Sequence, residues 1–298
     1  MKKLIVVSVI MAVMLLTWGS VVPAHAQAPT KDDAPTFYHL VPGTFVNGWP
    51  RFTIHYPKDW VEGHPYPWES FRAAAPRPTH EPTVGVGMGA FPAPLEKFLD
   101  VNVQQFSVTA HDVTVVSDKP SKLRDGTPAR ESELRMLLNG SPYNFFSLAT
   151  KKGDFVIAVV IGSSDAKTGE DLKAIAYTLE FQAGFDEPVK VPPDVQEFLD
   201  KWRSDIVSHD IAKVMTYYSD RYLYSGETKG EVERSWKQAI ASVTSYETVI
   251  TDFEAAGDKA YLAGFASANL GRFPLWGTSI IKENGEWRWY GNQRHPAP

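Results

Sequence analysis

Residues 194–226 read DVQEFLDKWRSDIVSHDIAKVMTYYSDRYLYSG, and this stretch decides the architecture of the second half of the chain. Val195, Phe198, Leu199, Trp202 and Ile206 recur at helical spacing, which gives a helix one apolar face. Asp194, with Glu197 three residues on, is the expected N-cap. Ser208-His209-Asp210 then turns the chain into a short second helix reaching Tyr218. Thr228-Lys229-Gly230-Glu231 spells a capping box for a third helix, with Val232, Trp236, Ala239, Ile240 and Val243 on its apolar face. Four strands follow, Tyr246 to Ala255, Lys259 to Asn269, Leu275 to Lys282 and Trp287 to Asn292. Ala256-Gly257-Asp258 and Glu283-Asn284-Gly285 supply hairpin turns between them. Three helices followed by a curved antiparallel sheet predict a cone-shaped α+β barrel, with one sheet face wrapped on the first helix and a pocket at the wide end.

Working outward, Pro188, Pro192 and Pro193 interrupt regular structure between Phe185 and Asp194, and the patterning changes character across them. The first half alternates over Arg51 to Tyr56 and stops at Pro57, as a strand entering a turn. Pro94 opens a helix whose Leu95, Phe98, Leu99, Val103 and Phe106 share a face. Strands are expected over Val113 to Ser117, Ala129 to Leu138, Tyr143 to Thr150 and Phe155 to Ile161, with Asn139-Gly140 as a tight hairpin. A helix over Asp171 to Tyr177 closes the half. Strands joined by hairpins with helices at both ends predict an α/β/α sandwich on an antiparallel sheet, so the fold class is α+β.

Two resemblances rest on these residues. The helix stripe ending at Trp202, the turn His209-Asp210, Met215 to Gly226, Gly257-Asp258-Lys259-Ala260 and Asn284-Gly285-Glu286-Trp287-Arg288 resemble the nuclear transport factor 2-like superfamily over residues 193 to 295. That superfamily includes ketosteroid-isomerase-like and SnoaL-like domains, and implies a cone that hosts isomerases, cyclases, dehydratases and pockets without chemistry. Phe52-Thr53-Ile54-His55-Tyr56-Pro57-Lys58-Asp59-Trp60, the hairpin at Asn139-Gly140 and Leu179-Glu180-Phe181 are similar to the PsbP-like family. This second resemblance implies a secreted, non-catalytic accessory or binding role. The insert Glu62 to Pro82, rich in Pro and His, departs from the PsbP-like pattern.

The N-terminus reads as an export signal. Lys2 and Lys3 precede an uncharged apolar run from Leu4 to Thr17, Pro23 breaks it, and Ala24-His25-Ala26 offers small residues to a signal peptidase. The expected organisation is a signal peptide over 1–26, a flexible leader over 27–36, a sandwich domain over 37–185, a Pro-rich linker over 186–193 and a cone domain over 194–295. The expected product is exported and soluble, periplasmic or extracellular, with no membrane association after cleavage. Removing Lys2 and Lys3, with no acid, takes the formal charge from −5 to −7. An acidic chain without a basic stripe does not suit nucleic acid. The sequence has no Cys, which excludes disulfides, thiolate nucleophiles and Cys-ligated zinc.

Candidate chemistry centres on the cone. A ketosteroid-isomerase-like site needs a carboxylate base beside a phenol that stabilises an oxyanion. Asp252 is the candidate base, with Tyr218 and Tyr222 foremost among the phenols Tyr217, Tyr218, Tyr222, Tyr224, Tyr261 and Tyr290. Strand parity puts Ile250, Asp252 and Glu254 on one face, so an inward Ile250 would carry Asp252 inward. The opposing reading has Asp252 solvated on the convex face and the tyrosines packed as core, and no motif fixes a second catalytic group. His209-Asp210 is adjacent in sequence only, with Asp210 placed to cap a helix.

The other motifs point to structure. His55, His64, His80 and His111 lack metal-ligand spacing. Val84-Gly85-Val86-Gly87-Met88-Gly89 is followed by Phe91-Pro92-Ala93-Pro94, so it reads as a strand and not as a dinucleotide turn. No metal and no cofactor are expected. Trp60, Trp68 and Phe71 suit either an exposed partner surface or a roof over the sandwich core.

The sequence therefore points to a secreted, non-catalytic binding or accessory protein. Its conical pocket or sheet face would recognise a small apolar ligand or a protein partner, lined by Trp202, Tyr218, Tyr222, Trp236, Tyr261, Phe265, Trp276 and Tyr290. The alternatives are a cofactor-independent SnoaL-like isomerase, cyclase or hydratase, and a homodimer formed through the C-terminal sheet.

Overall fold

In the computed structural model the described residues are 43–62, 69–76, 81–184, 187–224 and 226–293, with backbone alone described at 105, 108, 109, 276 and 277. The signal, the leader, His64, Trp68, His80 and the side chain of Trp276 lie outside them. The described residues are α+β, and their sheets are antiparallel.

The first half builds a seven-stranded sheet in the order β3(Val61–Glu62)-β4(Glu69–Ala74)-β5(Thr83–Ala90)-β9(Phe155–Ser163)-β8(Ser141–Lys152)-β7(Pro128–Leu138)-β6(His111–Lys122). Alternation along β9 feeds two layers. Phe155, Ile157, Val159 and Ile161 face helix α2(Ala166–Ala176) and a small sheet of β1(Thr44–Asn47), β2(Phe52–His55) and β10(Glu180–Phe181). Val156, Ala158 and Val160 face the turn at Leu95–Lys97 and the start of helix α1(Phe98–Thr109). A helix on each face completes the sandwich.

Several boundaries differ from the sequence expectation. Strand β6 runs through Pro120, because at a sheet edge a missing N–H costs no ladder bond. Helix α2 begins five residues earlier than expected, where the Asp165 carboxylate accepts from the Lys167 and Thr168 backbone N–H groups. The glycine-rich stretch is strand β5, hydrogen-bonded on both sides. Phe71 is buried and stacks on Phe45 at 4.4 Å, while Trp60 packs half-buried on the same cluster. These aromatics roof the core.

The second half has helices α3(Pro193–Val207), α4(Ile211–Thr216) and α5(Lys229–Ala239), a short hairpin β11(Leu223–Tyr224)–β12(Glu227–Thr228), and an open four-stranded meander β13(Tyr246–Ala256)-β14(Lys259–Ala268)-β15(Gly271–Glu283)-β16(Glu286–Gly291). The α3 stripe is buried at all five expected residues, worth roughly 1.5–3 kcal/mol for each large side chain. Its cap is corrected: Pro192 occupies the N-cap position and Pro193 the first helical position, where a fixed φ and an absent N–H suit a helix start. The Asp194 carboxylate instead accepts from Lys282 Nζ at 2.8 Å and Trp287 Nε1 at 2.9 Å, tying the helix to the sheet. The capping box at Thr228 and Glu231 forms as expected.

Three bulges, at Ile250/Asp252, Leu262/Gly264 and Ser279/Ile280, curl the sheet. The first two depend on Gly264, where a Cβ would lie 1.9 Å from the Val249 carbonyl oxygen. The concave face carries Ile250, Phe253, Ala260, Leu262, Ile280, Trp287 and Trp289 onto the helices.

The opposite face of this sheet meets the sandwich. Phe265 and Val249 join the sandwich core, with Phe265 4.8 Å from Trp49, whose ring also meets Phe155 at 5.0 Å. Arg51 pairs with Asp252 at 3.2 Å, and the Val189 N–H donates to the Ile250 carbonyl at 2.8 Å. The described residues fall within one compact unit spanning 31–297.

Candidate functional site: the aromatic mouth of the cone

The bulge at Ile250/Asp252 overturns the parity argument for Asp252. Ile250 and Phe253 both pack inside the cone, so Asp252 between them faces outward to Arg51. One extra residue in a strand inverts the side of everything beyond it. The same logic relocates two expected lining residues. Tyr261 lies between the inward Ala260 and Leu262, hence on the other face, and Phe265 packs on Trp49. Tyr290 sits beside the Ser279/Ile280 bulge with Arg221 and Lys259 over its ring, outside the cone cluster.

The remaining aromatics converge. Trp202 lies edge-on to Trp289 at 4.9 Å, Tyr246 at 5.5 Å and Trp236 at 6.3 Å, and Tyr218 meets Tyr222 at 5.2 Å. Trp202, Tyr218 and Trp289 are buried, whereas Tyr222, Trp236 and Tyr246 are half-buried and form the mouth. Five elements supply them: α3, the segment after α4, α5, the start of β13 and β16.

Polar atoms in this cluster are few. Trp236 Nε1 donates to the Tyr218 phenol oxygen at 3.1 Å. The Trp202 indole N–H approaches the same oxygen without completing a hydrogen bond, and the buried Trp289 indole N–H has no acceptor. Burial pushes the Tyr218, Tyr222 and Tyr246 phenols well above their ordinary range, so all three are neutral donors near pH 7. A phenol that accepts an indole N–H is a stronger donor through its own hydrogen.

Glu227 is the carboxylate that sequence reasoning missed. It opens β12 opposite Tyr224, and its charge acts on the Tyr218 and Tyr222 phenols. Burial, and secondarily the Glu231 charge, raises its pKa above the usual glutamate value. Its side chain makes no hydrogen bond or ion pair with the described residues. A signal was present. Glu227 immediately precedes the Thr228 cap, a position where an apolar residue commonly packs on the fourth helical residue, here the buried Val232. Tyr246 and Trp289 were also legible by parity, from Ile250 and Trp287.

His209 and Asp210 do not form a dyad. His209 has a positive φ of 62° and shares its Nε2 with the Val243 carbonyl at 2.8 Å, while Asp210 caps α4 through the Lys213 N–H. His55 Nδ1 bonds Thr44 Oγ1 at 3.1 Å. Among the described residues no three His, Asp or Glu side chains gather as metal ligands. Two surface hollows mark the sandwich. One, of about 90 Å³, is lined in part by Glu133, Asn144 and Lys173; the other, of about 270 Å³, is lined in part by His55, Arg124 and Glu180. Lys173 is ion-paired with Glu133 at 2.7 Å, so the first hollow offers a ligand no uncompensated charge there. Among the described residues no helix is long and apolar enough to cross a membrane.

At the level of sequence, no family profile and no curated protein matches the chain. Solved structures of both kinds named above are similar to it in fold. The cyanobacterial PsbP of Synechocystis sp. PCC 6803 matches with a TM-score of 0.39 and 11% identity, over 47% of this chain and 91% of that one. A putative dehydratase of the NTF2-like family from Streptomyces avermitilis matches with a TM-score of 0.26 and 13% identity, over 35% of this chain and 94% of its own. A putative polyketide cyclase from Sinorhizobium meliloti matches with a TM-score of 0.24 and 15% identity, over 34% and 92%.

Proposed function

We propose that this protein is an exported binding or accessory protein, in which a cone domain over 194–295 holds a small, largely apolar ligand at its aromatic mouth. A sandwich domain over 37–185 and a linker over 186–193 carry that cone. The observation behind the reading is the set of half-buried rings of Tyr222, Trp236 and Tyr246 around the buried Tyr218 and Trp202, with indole N–H groups left without acceptors. Buried donors without partners are uncommon in a finished core and suit a site where a ligand oxygen can accept. The pocket is preferred to the sheet face because Phe265 and Val249 are already engaged by the sandwich. Native mass spectrometry of mature protein recovered from the cell envelope tests both parts. Cleavage before Gln27 and a bound small molecule lost on Trp236→Ala support the reading. A retained N-terminus argues against export, and an unliganded wild type argues against the pocket.

A second reading, an acid–base isomerase, cyclase or hydratase, draws support from one observation. Glu227, and not Asp252, brings a carboxylate of raised pKa to neutral phenols.

A further inference from the structure

We infer that the ligand of the cone mouth is an organic ammonium ion, with Glu227 as its counter-charge. This rests on the reading of the mouth as a binding site and adds the chemistry of the occupant.

The first ground is an uncompensated charge. Nearly every other carboxylate of the second half that is drawn out of bulk water has a cation or a hydrogen-bond donor: Asp194 has Lys282 and Trp287, Glu283 has Arg221 and Ser219, Asp252 has Arg51, and Asp205 has Tyr217. Glu227 is held in a two-residue strand opposite Tyr224 and has neither among the described residues. The nearest charge acting on it is another acid, Glu231, which is committed to the capping box through the Thr228 N–H and hydroxyl. A half-buried carboxylate beside a second acid is costly unless a cation arrives.

The second ground is the ring cluster that Tyr222 joins, two residues before the Tyr224 paired with Glu227. The mouth presents π faces and edges of Tyr218, Tyr222, Trp202, Trp236 and Tyr246 in edge-to-face arrangement. Rings set at angles to one another offer an ammonium ion at the half-buried rim several quadrupoles at once. An anion would meet both Glu227 and those ring faces with the wrong sign. A neutral apolar molecule would satisfy the rings and leave the carboxylate uncompensated. Only a cation answers both features. The alkyl substituents of an organic ammonium add apolar contact that a metal ion lacks.

Choline and its uncharged isostere 3,3-dimethylbutan-1-ol separate these cases. Each is titrated into the full mature chain while the indole N–H signals of Trp202 and Trp236 are followed by nuclear magnetic resonance. The expected result is choline binding about ten-fold tighter than the alcohol, with Glu227→Gln erasing the preference. Equal or tighter binding of the alcohol overturns the cation and keeps the pocket. If neither compound moves either indole, both the cation and the pocket are overturned. A preference for choline that survives Glu227→Gln overturns Glu227 as the counter-charge.

Discussion

The Trp236 indole N–H donates to the Tyr218 phenol oxygen at 3.1 Å, joining α5 to the segment that follows α4. The bond closes one side of the cone mouth and fixes the direction of the phenol. Trp236→Phe keeps a ring and removes the donor; Tyr218→Phe removes the acceptor. Each is expected to cost about 1 kcal/mol in urea unfolding. The double variant should cost about 1 kcal/mol less than the sum, because the second change has no bond left to break. Strict additivity would show that the bond is not formed in solution.

Trp49 is the wedge between the halves, in contact with Phe155 on one side and Phe265 on the other, and is 2% exposed. Trp49→Ala should destabilise by roughly 3–5 kcal/mol. A Trp49→Ala/Phe265→Ala cycle should show a coupling of about 0.5–1.5 kcal/mol. Because Phe265 belongs to the cone sheet, loss of Trp49 should also separate the unfolding of the two halves into distinct transitions. A single unchanged transition would contradict the contact.

Glu227 gives a pH dependence with a definite sign. Its folded pKa is raised, by burial first and Glu231 second, and its charge in turn acts on the Tyr218 and Tyr222 phenols. A carboxyl that holds its proton more tightly when folded stabilises the fold below the unfolded value near 4.5, and that stability is lost as pH rises through the folded value. Glu227→Gln, neutral at every pH, should therefore raise the Tm at pH 7 and leave it unchanged at pH 4. A lower Tm at pH 7 would mean that the carboxylate has a stabilising partner.

Asp252 is expected to be dispensable to the mouth. Its pairing with Arg51 joins side chains 28% and 41% exposed, so Asp252→Asn should cost under about 1 kcal/mol. Ligand affinity at the mouth should be unchanged. A large loss of affinity would bring back the base that strand parity first suggested.

What the sequence made legible, and what it hid, divides along the bulges. Periodicity located α3 and α5, because each buries a single face, and the hairpin turns at Gly257 and Gly285 helped to mark off the four strands of the cone. It also separated the outward Asp210, a helix cap, from any dyad with His209. Parity failed at Asp252 because the extra residue at Ile250/Asp252 leaves no composition signature beyond Gly264 on the neighbouring strand, where only a missing Cβ admits the Val249 carbonyl. Phe265 and Tyr261 were misplaced for a related reason. Both faces of β14 are buried, so alternation between apolar and polar residues, which would have shown the two sides, is absent. Glu227 was hidden by attention to the capping box one residue later. The Asp194 cap was misassigned because its neighbours Pro192 and Pro193 start the helix without a side chain.

The most direct test of the aromatic mouth uses the nine tryptophans of the chain. A fragment library is titrated into the isotopically labelled protein, and each assigned indole N–H signal is followed. The expected result is that bound fragments move Trp236, Trp202 and Trp289 and leave Trp49 and Trp60 in place. Fragments that move Trp49 or Trp60 while the three cone indoles stay still would contradict the site.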